Sequence, residues 1–236
     1  MHLEMANNST NSYRYERKFI APTEHLIELE NIVRGLPGFF TLLHPPRRIN
    51  NLYFDSPSLE DFMFTCNGEK KRQKVRLRWY GETYTTEPGA PQLEIKIKSD
   101  QANTKEIAIL DGGDSTQLSN WVSQLPDNDS VTGYILESLS MRRPTLLNSY
   151  YRHYFGSADG KYRLTLDLGI TYQSVSPAGE PIGNSIKEEN RSIIELKYDV
   201  DDQQAVPRIT AALPYRLSRN SKYRNGIVQL MEQGYI

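Results

Sequence analysis

The stretch Lys74-Val75-Arg76-Leu77-Arg78-Trp79-Tyr80 alternates apolar side chains with cationic or polar ones. Successive side chains of an extended chain point to opposite faces, so Val75, Leu77 and Trp79 share one face and Arg76, Arg78 and Tyr80 the other. Leu93-Glu94-Ile95-Lys96-Ile97-Lys98 repeats the pattern, with Glu94, Lys96 and Lys98 opposite the aliphatic residues. The intervening 81–91 carries Gly, Thr and Pro and reads as a loop. The two segments are expected to be antiparallel neighbours with one apolar and one strongly charged face.

A single strand of this kind is usually half solvated. Here the pattern recurs. Arg14, Glu16 and Lys18 share a face, as do Tyr150, Arg152 and Tyr154; Arg163, Thr165 and Asp167; and Glu195, Lys197 and Asp199. Glu-x-Lys occurs at 16/18, 94/96 and 195/197. Ordinary solvent faces mix in more Thr, Ser and Gln.

Net charge is only −1 over 236 residues, so a cationic site must come from local clustering, and no overall field attracts nucleic acid. Residues 1–12 are polar and read as a disordered tail, and 13–236 as a single domain. Cys66 is the only cysteine, which excludes an internal disulfide and a thiolate zinc site and suits a reducing compartment. The four His, at 2, 25, 44 and 153, show no metal-ligand spacing. No apolar run approaches the ~20 residues a spanning helix needs, and no signal-peptide core opens the chain. A cytoplasmic location is expected.

In chain order, a helix follows Pro22-Thr23 and ends near Gly35, with Leu26, Ile27, Leu29, Ile32 and Val33 as its apolar stripe. Ile49 to Phe54 reads as a strand, and 58–62 as a helical turn with Leu59, Phe62 and Met63 packing inward. The basic run Lys70-Lys71-Arg72-Gln73-Lys74 is either a solvated edge or a polyanion path. A strand from Lys105 to Leu110 precedes the turn Asp111-Gly112-Gly113-Asp114 and a helix near 115–125, where Trp121 reads as core. Residues 134–147 are amphipathic but broken at Arg142-Arg143-Pro144. Gly156-Ser157-Ala158-Asp159-Gly160 reads as a hairpin turn, 173–190 as a long loop, and 202–212 as a helix. Ser218, Asn220 and Ser221 are good caps for a last helix running toward Leu230, yet Arg219, Lys222 and Arg224 sit at its start, where cations oppose the macrodipole. That combination suits a bound anion and makes Ser221 a phosphate-binding candidate.

About eight strands and few helices imply an α+β chain. A sheet with one apolar and one charged face is satisfied by closing into an antiparallel barrel, with helices packed on the outside and the charges in a polar lumen. Facing Arg and Lys repel unless a polyanion lies among them. Glu16, Glu94 and Glu195 offset part of that charge and can hold a hard divalent cation, Mg²⁺ or Mn²⁺. Arg forks and Lys point charges suit a linear chain of phosphates. No Walker-type glycine loop is present, and no Ser-His-Asp or Cys-His arrangement has support.

The residues Tyr15–Phe19, Tyr53–Asp55, Val75–Gly81, Glu94–Lys96, Tyr150–Arg152, Arg163–Asp167, Glu195–Lys197 and Ser221–Tyr223 together resemble, in order, the VTC domain. This is the catalytic domain of the vacuolar transporter chaperone polyphosphate polymerase, one of the triphosphate tunnel metalloenzymes. The Arg-x-Arg-Trp-Tyr-Gly run is its most specific piece. The resemblance implies a tunnel-like barrel that moves the terminal phosphate of ATP onto polyphosphate with Mn²⁺. By position it implies that Arg76, Arg78, Arg152, Arg163, Lys197 and Lys222 grip phosphates, that Tyr150 hydrogen-bonds one, that Lys18 and Lys96 line the tunnel, and that Glu195 holds the metal. Leu-Glu-Ile-Lys-Ile-Lys is more regular than the corresponding eukaryotic strand, which leaves Lys98 unassigned. No membrane or inositol-phosphate-sensing segment is expected in this chain, and the question of a separate membrane partner stays open, as does oligomeric state.

Two alternatives share the grip on phosphate. One is a triphosphatase in which Glu16 or Glu94 orients a water; the other is a non-catalytic polyphosphate-binding module.

Overall fold

Alternation becomes pairing in the computed structural model, which describes residues 14–82, 90–99, 103–110 and 117–236. The 1–12 tail, the Asp111–Asp114 turn and most of the 81–91 loop lie outside the described residues. The strands are β1 (Arg14–Ala21), β2 (Thr41–Asp55), β3 (Arg72–Tyr80), β4 (Gln92–Lys98), β5 (Asn103–Ile109), β6 (Arg143–Gly156), β7 (Tyr162–Val175), β8 (Pro181–Lys187), β9 (Ser192–Asp199) and β10 (Leu217–Ser218). They form one sheet in the order β10-β1-β9-β7-β6-β2-β3-β4-β5, with β8 added to β7, and every pairing is antiparallel. The helices are α1 (Leu26–Arg34), α2 (Glu60–Asn67), α3 (Leu118–Gln124), α4 (Gly133–Ser140), α5 (Val206–Ala211) and α6 (Lys222–Glu232).

Pairing places the predicted faces as the alternation requires. Val75, Leu77, Trp79, Leu93 and Ile95 are buried in a core shared with α3 and α4, where Trp121 meets Trp79 edge-on at 5.6 Å. Phe19, Leu164, Leu166, Ile194 and Leu196 form a second core with Leu29 and Val33 of α1 and Val206 and Ile209 of α5. Both cores lie on the face away from the charges.

The closed barrel is not made by the backbone. No ladder joins β10 or β1 to β5 among the described residues. Side chains span that gap instead: Lys96 of β4 lies 3.8 Å from Glu16 of β1, and Lys74 of β3 donates to Ser221, the cap of α6, at 2.8 Å. Alternation fixes which face a side chain occupies; it says nothing about whether the last strands meet.

Nor do all helices pack outside. α6 sits on the charged face, where Tyr223, Ile227 and Leu230 join Tyr53, Leu146, Tyr150, Tyr172 and Ile193 in a third core that fills one end of it. Gly226 permits this, since a Cβ there would lie 2.6 Å from Leu146 Cδ2 and Tyr172 Cδ1. Asp55 fixes the arrangement. Its buried carboxylate accepts from the amides of Ser56, Asp61 and Phe62 at the start of α2 and from the Tyr223 hydroxyl.

Other expectations change. The 173–190 stretch is a hairpin, not a loop: β7 runs to Val175 and β8 returns from Pro181. Ser176–Glu180 turns between the two strands, and a second turn at Glu189-Asn190 follows β8. β8 is exposed along most of its length and therefore lacks apolar alternation. β2 begins at Thr41, earlier than Ile49, because bulges carry it past Pro45-Pro46. The 134–147 stretch divides into α4 and the start of β6. Of the three residues expected to pack inward, Phe62 is buried and Leu59 packs partly buried against the third core, but Met63 is exposed.

Candidate functional site

Carboxylates on the charged face organise the cations into groups. Glu94 of β4, 2% exposed, takes Arg76 at 2.5 Å, Lys105 of β5 at 2.8 Å and Arg78 at 3.6 Å. Arg78 also donates to Asn51 Oδ1 at 3.0 Å, and Arg76 reaches the Tyr53 hydroxyl at 3.5 Å. Burial alone would push Glu94 upward; Arg76, Arg78 and Lys105 more than reverse this and hold it at about 2.

Asp167 of β7 is fully buried and receives both arms of Arg152, at 2.6 and 2.7 Å, with Lys222 at 2.5 Å. This forked geometry fixes the Arg152 plane. The Lys222 ammonium also stands 4.4 Å from the centre of the Tyr150 ring, and Arg152 stands 5.3 Å from it. Burial would raise the Tyr150 phenol, yet Arg152, Arg78 and Lys222 bring it below its ordinary value. Its hydroxyl makes no hydrogen bond among the described residues, so it is a donor available to a ligand.

Glu195 of β9 is buried and takes Lys197 at 2.6 Å and Lys18 at 3.7 Å; Lys18 meets Glu16 at 2.5 Å and Lys96 follows at 3.8 Å. Lys18 also reaches the Asn220 carbonyl at 3.4 Å, next to the Ser221 cap.

Two cations stand apart. Arg163 is exposed, faces Lys197 across the β7–β9 ladder, and has no carboxylate partner among the described residues. A cavity of about 250 Å³ there is lined by Arg152, Tyr154, Arg163, Thr165 and Lys197. Lys74 has only Ser221 as a hydrogen-bond partner among the described residues. Burial, then Lys18, Lys96, Arg72 and Arg76, push its ammonium down to about 7. Like charges this close cost free energy unless an anion separates them.

The sequence-predicted strand residues thus occupy one face of one sheet, to which α6 brings Ser221 and Lys222, and among the described residues all the predicted cations except Arg163 contact a carboxylate. Lys105 and Asn51 were not singled out from the sequence, while Lys74 entered only through the basic run 70–74 and Tyr53 only through the motif set. Alternation already puts Lys74 on the Arg76 face, whereas Lys105 needs the β4–β5 pairing. Asp167 was legible on the Arg163 face, but not as the clamp of Arg152.

The VTC domain family model matches residues 13–231. The chain belongs to the VTC domain family. Among solved structures it is similar to the PH1819 protein of Pyrococcus horikoshii OT3, with TM-score 0.50 and 13% identity over 94% of this chain and 99% of that one. It is also similar to a protein of Vibrio parahaemolyticus proposed as an adenylate cyclase, with TM-score 0.45 and 16% identity over 94% and 88% of the two chains. A Hippeastrum protein, proposed as an adenylyl cyclase and described with a dominant triphosphatase activity, matches with TM-score 0.48 and 14% identity over 95% and 97%. At 13% identity the likeness to the Pyrococcus protein is one of fold. No curated protein matches.

For a divalent metal, this VTC domain offers Glu16 and Glu195. Both carboxylates meet the Lys18 ammonium, and although burial and the Glu195 charge push Glu16 up, Lys18, Lys96 and Lys197 hold it below its ordinary value. Two such carboxylates, completed by phosphate and water oxygens, suit Mg²⁺ or Mn²⁺. All three glutamates carry cations on both oxygens, but Glu94 is held at 2.5 and 2.8 Å, whereas Glu16 Oε2 meets Lys96 at 3.8 Å and Glu195 Oε2 meets Lys18 at 3.7 Å. No group of three or more His, Cys, Asp or Glu forms a metal site among the described residues, and no helix among them is long and apolar enough to cross a membrane.

Proposed function

We propose that this VTC domain is a phosphotransferase that passes the γ-phosphate of ATP to the end of a growing polyphosphate chain. The observation that supports it most is the imbalance on the charged face. Among the described residues, the cations Lys18, Lys74, Arg76, Arg78, Lys96, Lys105, Arg152, Arg163, Lys197 and Lys222 outnumber the carboxylates that share their face, Glu16, Glu94, Asp167, Glu195 and Asp199. A chain of phosphates supplies the missing negative charge along a line, as a compact anion would not.

In phosphoryl transfer the protein chiefly positions groups and neutralises charge. A terminal oxygen of the acceptor chain attacks the γ-phosphorus in line, the bond to the bridging oxygen breaks, and ADP leaves. Arg76 and Arg78, oriented by Glu94 and Asn51, and Arg152, oriented by Asp167, hold the equatorial oxygens. Arg163 and Lys197 neutralise phosphates in the cavity, Lys18, Lys96 and Lys222 line the path, Ser221 caps the helix beside it, and Tyr150 donates its free hydroxyl. Glu195 and Glu16 would hold Mn²⁺ or Mg²⁺, which would supply positive charge to offset that of the phosphates when bound.

The second reading, a triphosphatase, draws on the neighbouring Glu16 and Glu195, since a carboxylate near the phosphates can orient water. Incubation with ATP and Mn²⁺ separates the two: long polymer on a gel supports transfer, and orthophosphate alone supports hydrolysis.

A further inference from the structure

Beyond the central clamps, the β3–β4 ladder sets cation against cation. Arg76 is opposite Glu94, a complementary pair, but the next two same-face rows are Lys74 opposite Lys96 and Arg72 opposite Lys98. Lys96 in turn faces Lys105 across β4–β5. Like charges directly opposite on one sheet face destabilise it. Neutralisation is sparse: Arg72 donates only to the Glu69 carbonyl, at 2.6 Å, Lys74 only to Ser221, and Lys98 has no ion pair among the described residues. Lys96 has Glu16 at 3.8 Å, over twice the surface exposure of its partner.

We propose that Arg72, Lys74, Lys96 and Lys98 form a second polyanion subsite, which takes the phosphates of a linear polyphosphate beyond those held by Arg76, Arg78, Arg152 and Arg163. This rests on the reading of the charged face as a phosphate-chain site, and names what lets that site prefer a long chain to a triphosphate. Arg72, Lys74, Arg76 and Arg78 project from one face of one strand, six residue steps from first to last and therefore ~20 Å at the usual strand rise. The track is continuous with the central clamps, and leads out over the basic run that precedes β3. An anion lying across Lys74–Lys96 and Arg72–Lys98 turns two repulsive rows into four charge-assisted contacts.

The test is calorimetric titration of the full chain with inorganic tripolyphosphate and with long-chain polyphosphate, for the wild type and the Arg72→Gln/Lys98→Gln variant. The variant is expected to lose about tenfold in affinity for the long chain, with tripolyphosphate binding unchanged, because only the long chain reaches the removed charges. Its thermal midpoint without anion is expected to be no lower than that of the wild type, since a like-charge row has been removed. Equal weakening for both probes, or none for either, overturns the subsite. Single-stranded oligodeoxythymidine of matched charge, if it binds as tightly as polyphosphate and weakens equally in the variant, overturns the choice of ligand. A wild type that binds neither phosphate probe removes the underlying reading of the site; a wild type that binds tripolyphosphate but gains nothing from a longer chain removes the subsite alone.

Discussion

Lys96 Nζ and Glu16 Oε2 stand 3.8 Å apart although their strands, β4 and β1, lie near opposite ends of the sheet order. The charged face therefore folds round on itself through side chains. Cations from β1, β3, β4, β6, β7, β9 and α6 are brought within reach of one linear ligand without a closed ladder of backbone hydrogen bonds.

Arg78 is expected to matter for turnover far more than for stability. Arg78→Ala leaves Glu94 with Arg76 at 2.5 Å and Lys105 at 2.8 Å. Turnover should fall at least ~100-fold, the usual scale for one lost donor to transition-state charge, while the midpoint drops by no more than about 4 °C. Steady-state kinetics and a melting curve on one preparation check both halves.

Glu94 should behave in the opposite way. Its removal strands three cations, and breaking a buried pair costs about 3 kcal/mol or more. The folded carboxyl at about 2 lies below the ordinary 4.5, so its stabilisation is present above pH 4.5 and is lost as pH falls toward 2. Melting curves should show Glu94→Gln well below the wild type at pH 6, with the gap closing through that window.

Much of this was legible in the alternation. Val75, Leu77 and Trp79 against Arg76 and Arg78 fixed the faces of β3 before any pairing was known, and Ser221 was identifiable as a cap. Registers were not legible, because a strand does not state which residue it will face; the Arg152–Asp167 fork and the Arg72–Lys98 repulsion appear only once strands are paired. β8 was hidden for a different reason. An edge strand exposed on both faces needs no apolar period, and its Pro and Gly read as loop.

Lys74 gives the fold a pH-dependent weakness. Lys18, Lys96, Arg72 and Arg76 face it, and only Ser221 approaches it as a neutral partner. Its folded value near 7 lies below the ordinary 10.5, so the unfolded chain binds the extra proton between those values and stability rises with pH across that window. The cost of charging Lys74 is then complete below pH 7 and absent above 10.5. Lys74→Gln should melt higher than the wild type at pH 6, with the advantage fading toward pH 10.

Gly226 links packing to function. A methyl at this position meets Leu146 and Tyr172 at 2.6 Å, an overpacking worth about 1–3 kcal/mol. Because α6 carries Lys222 to Asp167, Gly226→Ala should lower turnover as well as the midpoint, although residue 226 touches no cation of the site. Kinetics measured well below the melting range separate the two effects.

Diffraction from crystals soaked with tripolyphosphate and Mn²⁺ tests the central claim most directly. The account predicts phosphate density among Arg76, Arg78, Arg152, Arg163 and Lys197, with manganese beside Glu195. Phosphate bound elsewhere, with these side chains still held only by Glu94, Asp167 and Glu195, would contradict it.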